Sequence, residues 1–324
     1  MIRISRVICL ALILVILLAG CSEKPPYQEL KDNLILGEKT IKVHLEKDEV
    51  SDLLLSVLRQ EPLILGEDNN YQVNFGSKLK VNYRLDKKEI LLERVKVRSK
   101  LEAIALYARG KELPEMESVR YLHDYLVKVI SYDVRVNEFA DLNEGYLKYP
   151  ESYDIYGALV NGVAVCSGYA ESFKASCDIL GLSSIVITGT YKGVPHAWNK
   201  VRIDGFWYNI DLTANDTGVP YTTYLKNDSE LKNYIVNKDF MVDSQISIYD
   251  SQLGKSTLEY YSYNKLSAKN YDEVLAYITE GVLAFRLENL SGDEVLNIVE
   301  SSGLNVSQYL YTIDDGIFYL KKNK

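Results

Sequence analysis

Cys166, His196 and Asp211 are of types that cooperate in covalent catalysis, and they fall within one stretch of the chain. A thiolate is a strong nucleophile, an imidazole exchanges protons near neutral pH, and a carboxylate can orient that imidazole. Together they point to acyl transfer: sulfur attacks an amide carbonyl, an acyl-enzyme forms, and an acceptor resolves it. The chemistry depends on whether the surrounding elements bring the three side chains together.

The residues around Cys166 predict a helix. Cys166, Ala170, Phe173, Cys177 and Leu180 recur at spacings of three and four, and Gly181 stops the pattern. Cys166 then sits at the helix N-terminus, where the helix dipole favours a thiolate. Cys177 lies about 16 Å further along the axis at ~1.5 Å per residue. A disulfide requires Cα atoms within about 7 Å, so the two thiols are expected to stay free, with Cys177 in the core.

The other two residues are expected on a hairpin. Ser184 to Thr190 is rich in β-branched residues and reads as a strand. His196 to Ile203 and Phe206 to Leu212 follow, joined by Asp204-Gly205, a strong two-residue turn signal. That turn pairs Ile203 with Phe206 and places Asp211 opposite Trp198. His196, two residues from Trp198, shares its face and becomes a diagonal neighbour of Asp211. Ala197, Val201, Ile203, Phe206, Tyr208 and Ile210 form the opposite, apolar face.

Three separated motifs occur in order. Ser152-Tyr153-Asp154-Ile155-Tyr156-Gly157 leads into Gly162-Val163-Ala164-Val165-Cys166-Ser167-Gly168-Tyr169. His196-Ala197-Trp198-Asn199 follows, and then Trp207-Tyr208-Asn209-Ile210-Asp211-Leu212-Thr213. This series resembles the transglutaminase-like superfamily over residues 115–225. The resemblance implies an α+β, papain-like core in which an N-terminal helix carrying the Cys packs on an antiparallel sheet. It implies Cys166 as nucleophile, His196 as general base and acid, and Asp211 as the orienting carboxylate. The oxyanion hole would include the Cys166 N–H, with Asn161 and Tyr156 as candidates for the second donor. Leu212-Thr213-Ala214 departs from the family, which often has an aromatic residue after the Thr, and reads as a change of pocket wall. A second papain-like family of cell-wall endopeptidases also carries Cys-Ser-Gly; the His196-Ala197-Trp198-Asn199 context argues against it.

The N-terminus carries an address. Arg3 and Arg6 precede an apolar run from Val7 to Leu18 that is too short for an ordinary membrane span of ~20 residues. Leu18-Ala19-Gly20-Cys21 then resembles the lipobox of bacterial lipoproteins. Residues 1–20 are expected to be removed and Cys21 to carry lipid, giving an extracytoplasmic protein held on the bacterial cell membrane. Residues 21–30 read as a tether.

The remaining chain adds two small α+β units, over residues 31–110 and 231–324, around a catalytic unit at 111–230. In the first, Glu49 to Arg59 reads as a helix, Tyr71 to Phe75 and Leu79 to Tyr83 as a hairpin about Gly76-Ser77, and Lys87 to Arg109 as a charged helix. Pro114 opens a helix with Val119, Leu122, Leu126 and Val129 on one stripe, ending near Tyr132-Asp133. In the last unit, helix 272–279, strand 283–287, a Ser291–Glu294 capping box and two strands about Asp315-Gly316 carry no catalytic signature.

A chain of 324 residues, 47% hydrophobic and 25% charged with 7 Pro, excludes collagenous, disordered and disulfide-dense classes. A net charge of −8 without a basic cluster argues against nucleic acid as partner. His44, His123 and His196 lack metal-ligand spacing, so no metal or other cofactor is expected, and His44 and His123 read as structural or surface residues. The expected activity is therefore that of a surface-anchored cysteine peptidase, amidase or transglutaminase acting on a peptide or protein, cell-wall peptide among the candidates. The alternative is a non-catalytic binding or scaffolding lipoprotein with a vestigial domain; the flanking units and the 26 Tyr favour it, and the complete residue set opposes it.

Overall fold

A computed structural model describes residues 24–74, 78–139, 142–237 and 258–322. The signal-like segment, Cys9, the candidate lipidation site Cys21 and the Gly76-Ser77 turn lie outside the described residues.

Helix α1 spans Pro26–Ile35, so the segment expected as a tether over 21–30 is helical from Pro26 onward. Proline suits the first helical turn because its missing N–H has no partner there, and Leu30 and Leu34 give the helix a face to bury. Strand β1 (Thr40–Lys42) leads to α2 (Lys47–Gln60), which opens on a reciprocal cap between Glu46 and Glu49. Its residues Val50, Leu54 and Val57 are buried. Strands β2 (Glu67–Asn74) and β3 (Lys78–Tyr83) complete an antiparallel sheet of order β1-β3-β2. Leu30, Ile41, Val50, Leu54 and Leu79 share one small core under it.

Helix α3 (Lys87–Gly110) starts at an Asp86–Glu89 capping box. The sequence grouped it with the N-terminal unit, yet Ile90, Val97, Leu101 and Ile104 bury into the central core. Their spacing of seven, four and three residues gives the 24-residue helix one long apolar side. Helix α4 (Glu115–Val129) buries Val119, Leu122, His123 and Leu126. Val129 is exposed, contrary to the expected stripe. The helix stops there because the next residues turn extended: β4 (Ser131–Tyr132) pairs in parallel with β5 (Val163–Ala164). Between them lie α5 (Leu142–Lys148) and a turn of wider helix over Gly157–Asn161.

Helix α6 spans Cys166–Leu180 and ends at Gly181, whose φ of 76° is the left-handed cap conformation. Strands β6 (Ser184–Tyr191), β7 (Val194–Ile203) and β8 (Phe206–Ile210) follow. Asp204 and Gly205 both have positive φ, 51° and 86°, and the β7–β8 register pairs Ile203 with Phe206 and Val201 with Tyr208, as the turn requires. Strand β8 ends at Ile210, not at Leu212, because Asp211 caps a short helix α7 (Leu212–Thr217). Strands β9 (Tyr224–Lys226) and β10 (Tyr234–Val236) complete an antiparallel sheet of order β10-β6-β7-β8-β9. The central sheet thus reaches past residue 230, where a separate unit was expected to begin. Phe173 and Cys177 of α6 bury with Val201, Ile203, Tyr208 and Ile210 of the sheet.

The C-terminal part comprises α8 (Tyr260–Tyr263), β11 (Ser267–Ala268), α9 (Tyr271–Thr279), β12 (Ala284–Leu287), α10 (Gly292–Ser301), β13 (Tyr309–Asp314) and β14 (Ile317–Lys322). Its sheet has order β11-β12-β14-β13. The Ser291–Glu294 capping box and the Asp315-Gly316 turn stand where the sequence places them. Among the described residues, no helix is long and apolar enough to cross a membrane.

Candidate active site

The segment before α6 is tied down by buried polar groups. Ser152 donates to Asp133 Oδ2 at 2.6 Å, and Asp133 is gripped by the Arg135 guanidinium through both carboxylate oxygens. The Val165 N–H donates to the Ser152 carbonyl at 2.8 Å, fixing the extended residue that precedes the helix. One residue after Cys166, Ser167 Oγ donates to the Tyr153 carbonyl at 2.7 Å. A Cβ on Gly168 would stand 2.7 Å from the Ala164 Cβ and 2.9 Å from the Asp154 carbonyl oxygen. The Cys-Ser-Gly run is thus explained locally: cysteine opens the helix, serine pins it to the preceding turn, and glycine lets that turn come close.

Cys166 is the first helical residue, partly exposed, and packs against Ala170, Val186 and Ala197. Cys177 is free and fully buried, and burial pushes its thiol well above the ordinary range. His196 stands on β7 opposite Gly189 of β6. Its Nε2 lies 2.6 Å from Asp211 Oδ2. The Cys166 thiol is the second group that acts on the ring, through a hydrogen bond and through its charge. Burial alone would lower the His196 pKa. The hydrogen bonds and negative charge of Asp211 and Cys166 outweigh it and raise the value to about 10.

Asp211 is 0% exposed and uses both oxygens. Oδ1 accepts the Ala214 N–H at 3.0 Å, the N-cap bond of α7. Oδ2 accepts from His196 and also from the Tyr234 hydroxyl at 2.7 Å. The cap holds the carboxylate from one side while the imidazole uses the other. Trp198 stacks at 6.2 Å on the His196 ring, and Tyr191 and Tyr234 complete an aromatic wall.

Other expectations about the site need revision. Both donors of Tyr156 have partners of their own: its hydroxyl meets Lys96 Nζ at 3.1 Å and its N–H donates to Asp154. Asn161 is exposed at the end of its turn. The phenols that sense the Cys166 charge are Tyr132 and Tyr153; burial first, then Cys166, raises the pKa of each. Leu212-Thr213-Ala214 forms the first turn of α7, with Leu212 in the main core, so its departure from the family falls on a capped helix start. His123 is buried with Nδ1 2.8 Å from Asp124 and Nε2 3.1 Å from Asn215, a structural role. His44 is exposed. Among the described residues, no group of three His, Cys, Asp or Glu could hold a metal.

A cavity of about 290 Å³ is lined by Ser167 and by Val186 and Ala197, two of the residues that pack against Cys166; Cys166 and His196 do not themselves line it. Leu58 and Arg59 of α2 form one wall, Ser167 and Glu171 of α6 another. Helix α2 is held there by the Gln60 side-chain amide, which accepts from the Val186 N–H at 3.0 Å and donates to its carbonyl at 2.9 Å. At the polar end, Arg84 pairs with Asp154 at 2.6 Å; burial outweighs this pairing and raises the Asp154 pKa to about 6. Burial, then the neighbouring Asp154 carboxyl, holds Glu171 well above the usual range.

Residues 102–212 match the profile of the transglutaminase-like superfamily, and this part of the chain is a transglutaminase-like core domain of mixed helix and sheet. The chain is similar to kyphoscoliosis peptidase of Mus musculus, 24% identical over 150 residues that make up 43% of this chain and 22% of that protein. The human kyphoscoliosis peptidase is 23% identical over 161 residues, 45% of this chain and 23% of its own. The match therefore spans less than a quarter of the length of either curated relative. A solved transglutaminase structure superposes with a TM-score of 0.33 at 20% identity, covering 53% of this chain and 49% of that one.

Proposed function

We propose that this chain is a thiol acyl-transfer enzyme acting on peptide amide bonds. With water as acceptor it is a cysteine peptidase or amidase; with an amine it is a transglutaminase. The observation that carries the reading is the hydrogen-bonded series from the capped Asp211 through His196 to Cys166 at a helix N-terminus.

In this reading the Cys166 thiolate, paired with the His196 imidazolium, attacks the amide carbonyl carbon. The Cys166 N–H, unpaired within the first turn of its helix, faces the developing oxyanion. The carbon–nitrogen bond breaks as the imidazolium proton passes to the leaving amine, and a thioester remains. Neutral His196 then takes a proton from water or from an acceptor amine, which attacks the thioester carbon. The carbon–sulfur bond breaks, and the thiolate–imidazolium pair is restored. Asp211 keeps the ring in the tautomer and orientation that serve the sulfur. The cavity beside Val186 and Ala197 is the space into which a substrate would extend. Both curated relatives are named peptidases, which supports hydrolysis as the first arm to test. We further assign the chain to the extracytoplasmic face of a bacterial membrane, anchored by lipid on Cys21, where surface proteins and cell-wall peptides are the accessible substrates.

The test is mass spectrometry of peptide amides incubated with the soluble protein, with and without a primary amine. Hydrolysis gains one water; transamidation exchanges the amine. Product formed no faster than by the Cys166→Ala variant would contradict the reading.

A further inference from the structure

Resting on that reading, we propose that Tyr234 is a positioning residue of the site. Its hydroxyl shares Asp211 Oδ2 with His196 and thereby sets how strongly the carboxylate holds the imidazole.

The geometry is direct. Tyr234 Oη donates to Asp211 Oδ2 at 2.7 Å, and His196 Nε2 approaches the same oxygen at 2.6 Å. The other carboxylate oxygen is occupied by the Ala214 N–H. With both oxygens engaged, Asp211 has three donors fixed in direction, and its side chain has no freedom to swing from the ring. Tyr234 arrives from a part of the chain unrelated to the motifs: β10 pairs with β6, Tyr234 opposite Tyr191. That pairing brings the two rings to 4.5 Å, tilted by 31°, and sets Tyr234 edge-on against Trp198 at 5.1 Å. Among the described residues, the hydroxyl's other polar neighbour is Thr223 Oγ1, at 3.4 Å.

The phenol has an electrostatic consequence. A hydroxyl donating to a carboxylate draws charge from the oxygen it touches, so Oδ2 becomes a weaker acceptor for the imidazolium. The charged and titratable groups that face His196 are few. Cys166 comes from α6, Asp211 from the β8–α7 junction, Tyr191 from β6 and Tyr234 from β10. Lys192 stands over the Tyr191 ring at 4.9 Å from its centroid. Of these groups, Tyr234 and His196 are the two that bond to Asp211. Removing its hydroxyl leaves His196 as the single donor to Oδ2, strengthens that bond, and raises the pH at which the imidazolium loses its proton.

The experiment is a titration of histidine Cε1 resonances by NMR. The chain has only three His, so His196 is assigned by comparison with His196→Gln. Tyr234→Phe, which deletes one oxygen and keeps the ring, is expected to move the His196 midpoint upward by roughly half a unit. Tyr191→Phe, which removes a hydroxyl from the same wall but none from Asp211, is expected to leave it unchanged. In an Asp211→Asn background Tyr234→Phe should add nothing, because it acts through Asp211. A Tyr234→Phe midpoint that is unchanged, lowered, or shifted equally by Tyr191→Phe would overturn the proposal. If Tyr234→Phe does not fold, Thr223→Val supplies the second arm: it leaves the Tyr234 bond to Asp211 and must leave the midpoint unchanged, and a changed midpoint would overturn the proposal. A His196 midpoint at the ordinary imidazole value in the unaltered protein would instead defeat the acyl-transfer reading itself.

Discussion

His196 and Asp211 are 15 residues apart in sequence and 2.6 Å apart at their side chains, across a two-residue turn that fixes the register. The bond is short and shielded, with Asp211 fully buried and the Trp198 ring stacked beside the imidazole. The same Asp211 begins α7 through its other oxygen, so orientation of the imidazole and helix capping are coupled in one side chain.

That coupling makes two substitutions at Asp211 behave differently. Asp211→Asn retains an oxygen for the Ala214 N–H but turns a donor toward His196 and Tyr234. The fold should survive while amide turnover falls by roughly 10³-fold or more, by analogy with loss of the orienting carboxylate in other triads. Asp211→Ala also removes the cap, which adds about 0.5–2 kcal/mol of destabilisation. Chemical denaturation of both variants separates the effects; equal turnover in Asp211→Asn and the unaltered protein would remove Asp211 from the mechanism.

Cys166→Ala is expected to abolish turnover and leave the melting temperature within a few degrees. The thiol is partly exposed, and the residue's helical position rests on backbone and neighbouring bonds that alanine preserves. Residual activity above background would assign the nucleophile elsewhere.

Gly168→Ala should be damaging although the residue does no chemistry. The added Cβ meets the Ala164 Cβ at 2.7 Å and the Asp154 carbonyl at 2.9 Å. Overpacking of this kind costs about 1–3 kcal/mol, and here it pushes the helix start away from the turn that carries Tyr153 and Asp154. Thermal unfolding reads the stability loss, and Cys166 alkylation reads the displacement.

The His196 pKa, raised to about 10, implies a stability effect with a definite sign. A folded-state value above the unfolded one of ~6.5 favours folding while the ring is protonated. The contribution is complete below about 6.5 and is lost as pH rises through about 10. The difference in unfolding free energy between the unaltered protein and His196→Gln should therefore shrink across that window. A difference independent of pH would contradict the charged pair.

The proposed anchor is tested by Cys21→Ser, which should release the protein from membranes or leave its precursor unprocessed. A mature form that stays fully membrane-bound would refute lipidation at Cys21.

Much of the site was legible in the sequence because it rests on local rules. Helical spacing placed Cys166 at a helix start, and Asp204-Gly205 fixed the register that joins His196 to Asp211. Other features depend on long-range pairing. Tyr234 meets Asp211 only because β10 docks on the far edge of β6, and no periodicity near Tyr234 announces that. The end of β8 was misplaced because Asp211 reads equally as a strand residue and as a cap. The N-terminal boundary was misplaced for a similar reason: α3 has apolar residues enough for either neighbour, and packing against α6 decides. Tyr132 and Tyr153 were missed beside the thiol since their approach depends on the parallel β4–β5 pair and on the buried Asp133–Ser152 bond.

The most direct test of the central claim is the pH dependence of iodoacetamide alkylation, with the modified cysteine mapped by mass. An activated pair predicts labelling of Cys166, not of the buried Cys177, at a rate near neutral pH that falls sharply in His196→Ala. A Cys166 labelling profile unaffected by His196→Ala at every pH would contradict acyl transfer and leave a binding or scaffolding role for the domain.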